Sequence, residues 1–319
     1  MSSTKIIKRR IKSATNISQI TKAMEMVAAS KMRFAQESAL ASRPYTEKMR
    51  QILTGIIEIV KDDIDHFLLK SPEIIPATEG KTQEKYLVII LSSDKGLCGG
   101  LNSNLYRGLE MWQNNFTEKK HDTNNIKMDF ITVGKKAKEH VLKTRRFLLA
   151  EFPNFGDKPR YSDIVPLYNT IFESFKTTQY QKILIVFMEF ISTISQRLTV
   201  RQLLPIQRDE IDSAFSEIMM EEYESKYKPV EFDFQKDYIF EPSAKSIFDK
   251  LLPKYLGLYL YHIILESTAS EHSARMVAMK SAHDNATEIV KDLSLEYNQL
   301  RQQKITSELL DAASARMVM

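Results

Sequence analysis

Residues 258–319 read LYLYHIILES TASEHSARMV AMKSAHDNAT EIVKDLSLEY NQLRQQKITS ELLDAASARM VM, a run without a single glycine or proline. So long a stretch without a strong breaker predicts one helix. At the usual rise per residue that helix would be ~93 Å long. A compact globule of the whole chain would be only about 50 Å across, so the helix cannot lie inside its own domain. Residues 1–43 lack glycine and proline too, and all nine glycines fall between Gly55 and Gly257. The sequence therefore predicts two long terminal helices flanking a middle punctuated by glycine and proline.

Both ends carry an apolar stripe. Ile7, Ile11, Ala14, Ile17, Ile20, Met24, Val27 and Phe34 follow one another at helical steps, and so do Met276, Met279, Ala282, Ala286, Ile289, Leu293 and Leu300. Their period is about 3.5 residues, which makes helices wrap left-handed around a partner. Small residues accompany both stripes, Ala28, Ala29 and Ser30 on one and Ala269, Ser270, Ser273, Ala274 and Ala282 on the other. Backbones can approach closely there. The expectation is a long coiled coil made by the two chain ends, antiparallel if both helices leave the same face of the middle.

The middle alternates. Tyr86 to Leu91 is a short Val/Ile-rich run followed by a glycine-rich turn and a helical stretch opening near Asn102. Met128 to Val133 and Lys182 to Phe190 are further strands, with helical patterns over Lys135 to Leu142 and Ser162 to Phe175. Such alternation implies a small open, largely parallel α/β (Rossmann-like) sheet with helices on its faces. The fold class is thus α/β, and three regions follow. Residues 1–70 are the N-terminal coiled-coil helix and 71–243 the α/β globular domain, the latter entered by a linker over 71–85 and carrying an acidic stretch over 206–240. Residues 244–319 are the C-terminal coiled-coil helix.

Composition narrows the class. With 43% apolar and 27% charged residues the chain is a globular protein rather than a disordered one. One cysteine, Cys98, allows no intramolecular disulfide and no thiolate cluster for zinc. No apolar run approaches the ~18 residues of a membrane span. Charge is segregated: residues 1–50 hold eleven Lys or Arg against three Glu, and residues 208–241 hold eleven acids against four bases. A small net charge of +4 hides this dipolar layout.

The most enzyme-like stretch is Ser92-Ser93-Asp94-Lys95-Gly96-Leu97-Cys98-Gly99-Gly100-Leu101-Asn102, lying where phosphate loops sit. It lacks both a Gly-Lys-Ser/Thr ending and a Gly-x-Gly-x-x-Gly spacing, so a tight strand-to-helix turn is the better reading. Cys98 reads as a buried thiol. His272 and His283 share a helix face but stand ~16 Å apart, too far for one metal. His262 and Glu266 are one turn apart and read as an exposed contact of small value. No triad, metal set or carboxylate pair emerges.

Three segments resemble one family. Residues 19–33, QITKAMEMVAASKMR, are similar to the N-terminal helix signature of the gamma subunit of F-type ATP synthases; residues 92–104, SSDKGLCGGLNSN, resemble its central motif; and Glu271 to Lys280 with Tyr297 to Leu309 resemble its C-terminal helix. The resemblance implies a noncatalytic central stalk (rotor shaft) without cofactor or metal. It would stand inside a ring of three alpha and three beta subunits, with its foot on the c ring beside epsilon, passing torque that couples ion flow to ATP synthesis or hydrolysis. It also implies that residues 1–34 are the mature helix rather than a transit peptide. The type is then bacterial, peripheral on the cytoplasmic face of the inner membrane. Carried over, Met24 faces the acidic lever of the catalytic subunits, Arg301 and Gln302 meet a loop of an open beta subunit, and Tyr238, Phe240 and Glu241 belong to the foot that meets the c ring. The acidic stretch containing Met219-Met220-Glu221-Glu222 is longer than the family leads one to expect, and the paired cysteines of the redox-regulated chloroplast form are absent.

Two rivals remain at this level. One is a nucleotide-binding α/β enzyme with helical arms, resting on the glycine turn. The other is a basic coiled-coil module that binds nucleic acid or anionic lipid through residues 1–50; the family reading requires no nucleic acid.

Overall fold

A computed structural model describes residues 3–60, 66–70, 72, 84–119, 126–177, 180–206 and 240–317. Two very long helices dominate it: α1 (Ser3–Val60) and, last in the chain, α5 (Ala244–Met317). Between them come β1 (Glu84–Leu91), α2 (Leu101–Lys119), β2 (Ile126–Val133), α3 (Lys135–Lys143), β3 (Leu148–Phe152), α4 (Tyr161–Lys176), β4 (Lys182–Phe190) and β5 (Gln196–Leu204). Both long helices outrun the breaker-free stretches, α1 passing through Pro44 and α5 through Pro253. A proline inside a helix costs about 3 kcal/mol. Around Pro253, burial of Phe248, Leu252, Tyr255 and Leu256 outweighs that cost.

The sheet has the order β3-β2-β1-β4-β5, with β1 to β4 parallel and β5 antiparallel at the edge. Successive side chains of a strand face opposite ways, and here they feed two cores. Leu87, Ile89 and Leu91 join Ile183, Ile185 and Phe187 on the face covered by α4, by Phe248 to Ile264 of α5 and by Met49, Leu53 and Ile56 of α1. Val88, Ile90, Val186 and Met188 face the other way, against Leu101, Leu105 and Leu109 of α2 and Ala137 and Val141 of α3. The base of the long helix pair is therefore one layer of the α/β sandwich.

Close approach requires a glycine at position 134 and favours one at 257. A Cβ on Gly134, whose φ is +91°, would lie 2.2 Å from the carbonyl oxygen of Ser92, and one on Gly257 would lie 2.5 Å from the Tyr161 hydroxyl. The first lets β2 turn into α3 beside β1; the second lets α4 lie on α5. The acidic stretch of 206–240 falls, apart from Ile206 and Phe240, outside the described residues, as does most of the 71–85 linker.

Candidate functional site: a seated helix pair

The long helices run antiparallel: Ser18 of α1 meets His283 and Thr287 of α5, whereas Ser42 and Thr46, further along α1, meet His262. Burial on α1 recurs at alternating steps of three and four, through Ile7, Ala14, Thr21, Ala28, Ala35, Met49 and Ile56 on one row and Met32, Thr46 and Leu53 on the other. On α5 it passes through His262, Leu265, Ala269, His272, Met279 and Ala286.

This corrects the sequence-derived stripe. Ile7, Ile11 and Ala14 lie on the seam, but Ile17, Ile20 and Val27 are 53%, 59% and 52% exposed, and Ile289 of α5 is 51% exposed. Beyond Ala14 the seam is shifted by one residue, to Ser18, Thr21 and Ala28. Small side chains bring the backbones together, and the hydroxyl of Thr21 donates to the Ile17 and Ser18 carbonyls of its own helix. The bulky aliphatics point outward.

Besides His272, two histidines three heptads apart, His262 and His283, meet α1 across this seam. His262 is buried rather than exposed as its spacing suggested. Its Nε2 lies 3.1 Å from both the Ser42 and Thr46 hydroxyls, each of which also donates to a carbonyl of α1. The Nε2–H therefore donates. At His283 the Nδ1 lies 2.9 Å from the Ser18 carbonyl oxygen, an acceptor only, so Nδ1 carries the proton there. Polar layers of this kind, one buried at His262 and one half-buried at His283, fix register.

The glycine-rich turn docks on α5. Arg275 donates to the carbonyls of Lys95 and Gly96 at 3.4 and 3.5 Å and to Glu271 at 2.8 Å. Glu271 also accepts from the Asn154 side chain, which donates in addition to the Ser92 carbonyl. Burial pushes the Glu271 carboxyl up, against the pull of Arg275 and Asn154. The turn thus offers carbonyls to a guanidinium, the opposite polarity to the N–H cradle that binds phosphate. Cys98 is buried, near the Ser93 and Asn102 side chains.

Beside this cluster, Asp157 takes Lys31 of α1 at 2.6 Å and approaches the His272 Nε2 at 3.5 Å. Burial alone would raise the Asp157 carboxyl, but Lys31 and Arg275 outweigh it and hold it below the usual range. His272 is different: burial, reinforced by Arg275, pushes it down to about 4. At neutral pH the ring is neutral and its approach to Asp157 is no ion pair. Arg275 donates to Nδ1 at 3.2 Å, leaving the ring proton on Nε2.

The sequence-derived contact residues are dispersed rather than gathered into one site. Met24 is half-buried on α1; Arg301 and Gln302 are exposed on α5. Met24 lies level with α5 residues near 279, so about 30 Å of shaft separates it from Arg301. Phe240 packs against the core of the sheet, Glu241 is exposed, and Tyr238 lies outside the described residues. The Glu271–Arg275 pair was legible as an i, i+4 spacing. Asp157 carried no signal, because its partners are distant in the chain. Among the described residues no three His, Cys, Asp or Glu converge as a metal site, and no helix is long and apolar enough to cross a membrane.

A family model described as ATP synthase matches residues 3–316. The ATP synthase gamma chain of the bacterium Dehalococcoides mccartyi (strain BAV1) is 38% identical over 98% of this chain and 97% of its own length, and that of Roseiflexus castenholzii is 36% identical at the same coverage. The chain belongs to the ATP synthase gamma-chain family. Among solved structures, a chain of the Euglena gracilis mitochondrial ATP synthase (OSCP/F1/c-ring, rotational state 3) is 19% identical with a TM-score of 0.59, over 99% of this chain and 94% of that one. A chain of the Tetrahymena thermophila central stalk and c ring gives 0.52 at 22% identity, over 82% of this chain and 99% of that one. This chain's fold, a five-stranded α/β sheet between long N- and C-terminal helices, is thus similar to that of both chains.

Proposed function

We propose that the helix pair is a left-handed antiparallel coiled coil serving as the noncatalytic shaft of a bacterial F-type ATP synthase. It stands within three alpha and three beta subunits, and the sheet domain rests with epsilon on the c ring at the cytoplasmic face of the membrane. Residues 1–70 and 244–319 then act as shaft and 71–243 as foot. Met24, Arg301 and Gln302 are assigned to contacts with the catalytic subunits, and Tyr238, Phe240 and Glu241 to the foot.

The observation that carries this reading is the burial period of the seam. Alternating steps of three and four average 3.5 residues, the signature of supercoiling, and a supercoiled pair resists bending and twisting better than separate helices. The outward Ile17, Ile20 and Val27, together with exposed Ile305, Leu309 and Leu310 on α5, suit a shaft sheathed by other subunits. The nucleotide-enzyme reading loses its support because the glycine turn is occupied by Arg275.

Native co-purification tests the proposal. Recovery with alpha and beta subunits in a three-to-three-to-one ratio is expected; a chain recovered alone, or salt-sensitive binding to nucleic acid or anionic vesicles in place of those subunits, overturns it.

A further inference from the structure

The segment 153–160, between β3 and α4, touches both long helices and the sheet, with most of its contacts at the level of Lys31 and Glu271. Asp157 holds Lys31 of α1, and the Lys158 ammonium lies 4.5 Å from the centre of the Phe34 ring, also on α1. Toward α5, Asn154 donates to Glu271, and ~15 Å nearer the base Pro159 accepts from the Tyr261 hydroxyl at 3.2 Å. Toward the sheet, Asn154 donates to the Ser92 carbonyl at the end of β1. The α5 helix is gripped at this level by two further turns, through Arg275 on Lys95 and Gly96 and through the Ser273 hydroxyl donating to Thr193 at 2.6 Å.

We propose that residues 153–160 form a strap that binds α1 to α5 and to the sheet, and that Asp157 is a positioning residue that adds a polar tie between α1 and the foot beyond the packed base of the helix. The proposal rests on the shaft reading above. The main packed base of α1 begins at Met49; at least ~21 Å further along the helix, Met32 and Ala35 pack on Phe190 of β4 and Ala269 of α5, and the strap adds its contacts to Lys31 and Phe34 at the same height. Apolar packing at this height leaves the helices able to slip against each other under load, and a polar tie beside it helps both to turn with the foot. The Asp157–Lys31 pair is half-exposed, with side-chain exposures of 52% and 32%, so its loss weakens the tie without unfolding the chain.

The experiment uses the whole complex reconstituted in vesicles. Asp157→Asn is expected to leave subunit recovery and ATP hydrolysis unchanged while lowering the ratio of pumping to hydrolysis as the opposing ion gradient rises, by up to about fivefold, the limit for a pair worth ~1 kcal/mol. Exchanging the charges, Asp157→Lys with Lys31→Asp, should restore the ratio. A second arm places cysteines at both positions and joins them with a short bismaleimide, which buried Cys98 does not meet. Because strap and shaft turn together, the joined enzyme should keep both hydrolysis and pumping. An unchanged ratio in Asp157→Asn, no recovery on charge exchange, or arrest on joining overturns the strap. Each of these outcomes leaves the shaft reading intact so long as the three-to-three-to-one complex is recovered; failure to recover it overturns the shaft reading instead.

Discussion

At the residue scale, the chemistry here is one of protonation and contact rather than catalysis. His272 is held near pKa 4 by burial and by Arg275, against about 6.5 in an unfolded chain. The unfolded state therefore binds a proton that the folded state refuses. Its stabilising effect is complete above pH 6.5 and is lost as the pH falls toward 4, up to about 3 kcal/mol across that window. Chemical denaturation of the isolated chain between pH 7 and pH 4 should show this slope, and His272→Gln should flatten it. Met24 makes a separate case. It is apolar, half-buried, and follows Lys22, which pairs with Glu25 at 3.0 Å. Against acidic loops of the catalytic subunits an apolar side chain favours no rotational position. Met24→Lys should create a charge-assisted contact worth ~1.5–3 kcal/mol, so the assembled enzyme should show a steeper Arrhenius slope for ATP hydrolysis and poorer pumping. Met24→Leu, which keeps the volume, should be close to wild type. Identical slopes for wild type and Met24→Lys would remove Met24 from the contact.

At the element scale, the seam separates what bulk decides from what proximity decides. Ala28 is 1% exposed between the helices and its neighbour Val27 is 52% exposed. Ala28→Leu should cost about 1–3 kcal/mol by forcing the backbones apart, whereas Val27→Ala should change stability by less than about 0.5 kcal/mol. Thermal unfolding of the two variants checks the pair, and equal losses would mean that the seam is misassigned. The same contrast explains which elements were legible in the sequence. Strands β1 and β4 are flanked on both sides and covered on both faces, so they read as continuous apolar runs. The edge strands β3 and β5 went unread: Leu148–Phe152 alternates between half-buried and exposed, and Gln196–Leu204 carries Arg197, Thr199 and Arg201, whose side chains converge on buried Glu189 of β4. The small residues read beside the stripes, Ala28 and Ala269 among them, are buried, as are Met279 and Ala286 of the α5 stripe, but Ile17, Ile20 and Val27 were misplaced on the seam, because hydrophobic bulk marks the face that a helix shows to any partner. Over that stretch the contact between α1 and α5 uses Ser18, Thr21 and Ala28. The Lys31–Asp157 tie, 126 positions apart in the chain, has no local pattern at all.

At the scale of the whole molecule, stiffness along the helix pair matters more than the strength of any one contact. Ala286 lies in the seam at 6% exposure, one turn beyond His283 and immediately before Thr287, both of which meet Ser18. Proline there removes the N–H that bonds back to residue 282 and pushes its ring into that turn, at a cost of about 3 kcal/mol and a bent axis. Supported by the rest of the seam, the chain should still fold and assemble. ATP hydrolysis needs the catalytic subunits to close in turn around some asymmetric core, which a bent shaft still supplies in part. Pumping needs the rotation to arrive at the foot in register, and a kink turns part of each rotation into bending. Ala286→Pro in reconstituted vesicles should therefore retain a measurable fraction of hydrolysis while losing proportionally more pumping. Ala286→Gly separates backbone flexibility from a fixed kink: it costs about 1 kcal/mol in helix propensity without removing a hydrogen bond, and should leave the ratio of pumping to hydrolysis near that of the wild type. If the proline variant also keeps the wild-type ratio, torque does not pass through this level of the helix pair, and the shaft must be driven from below Ala286.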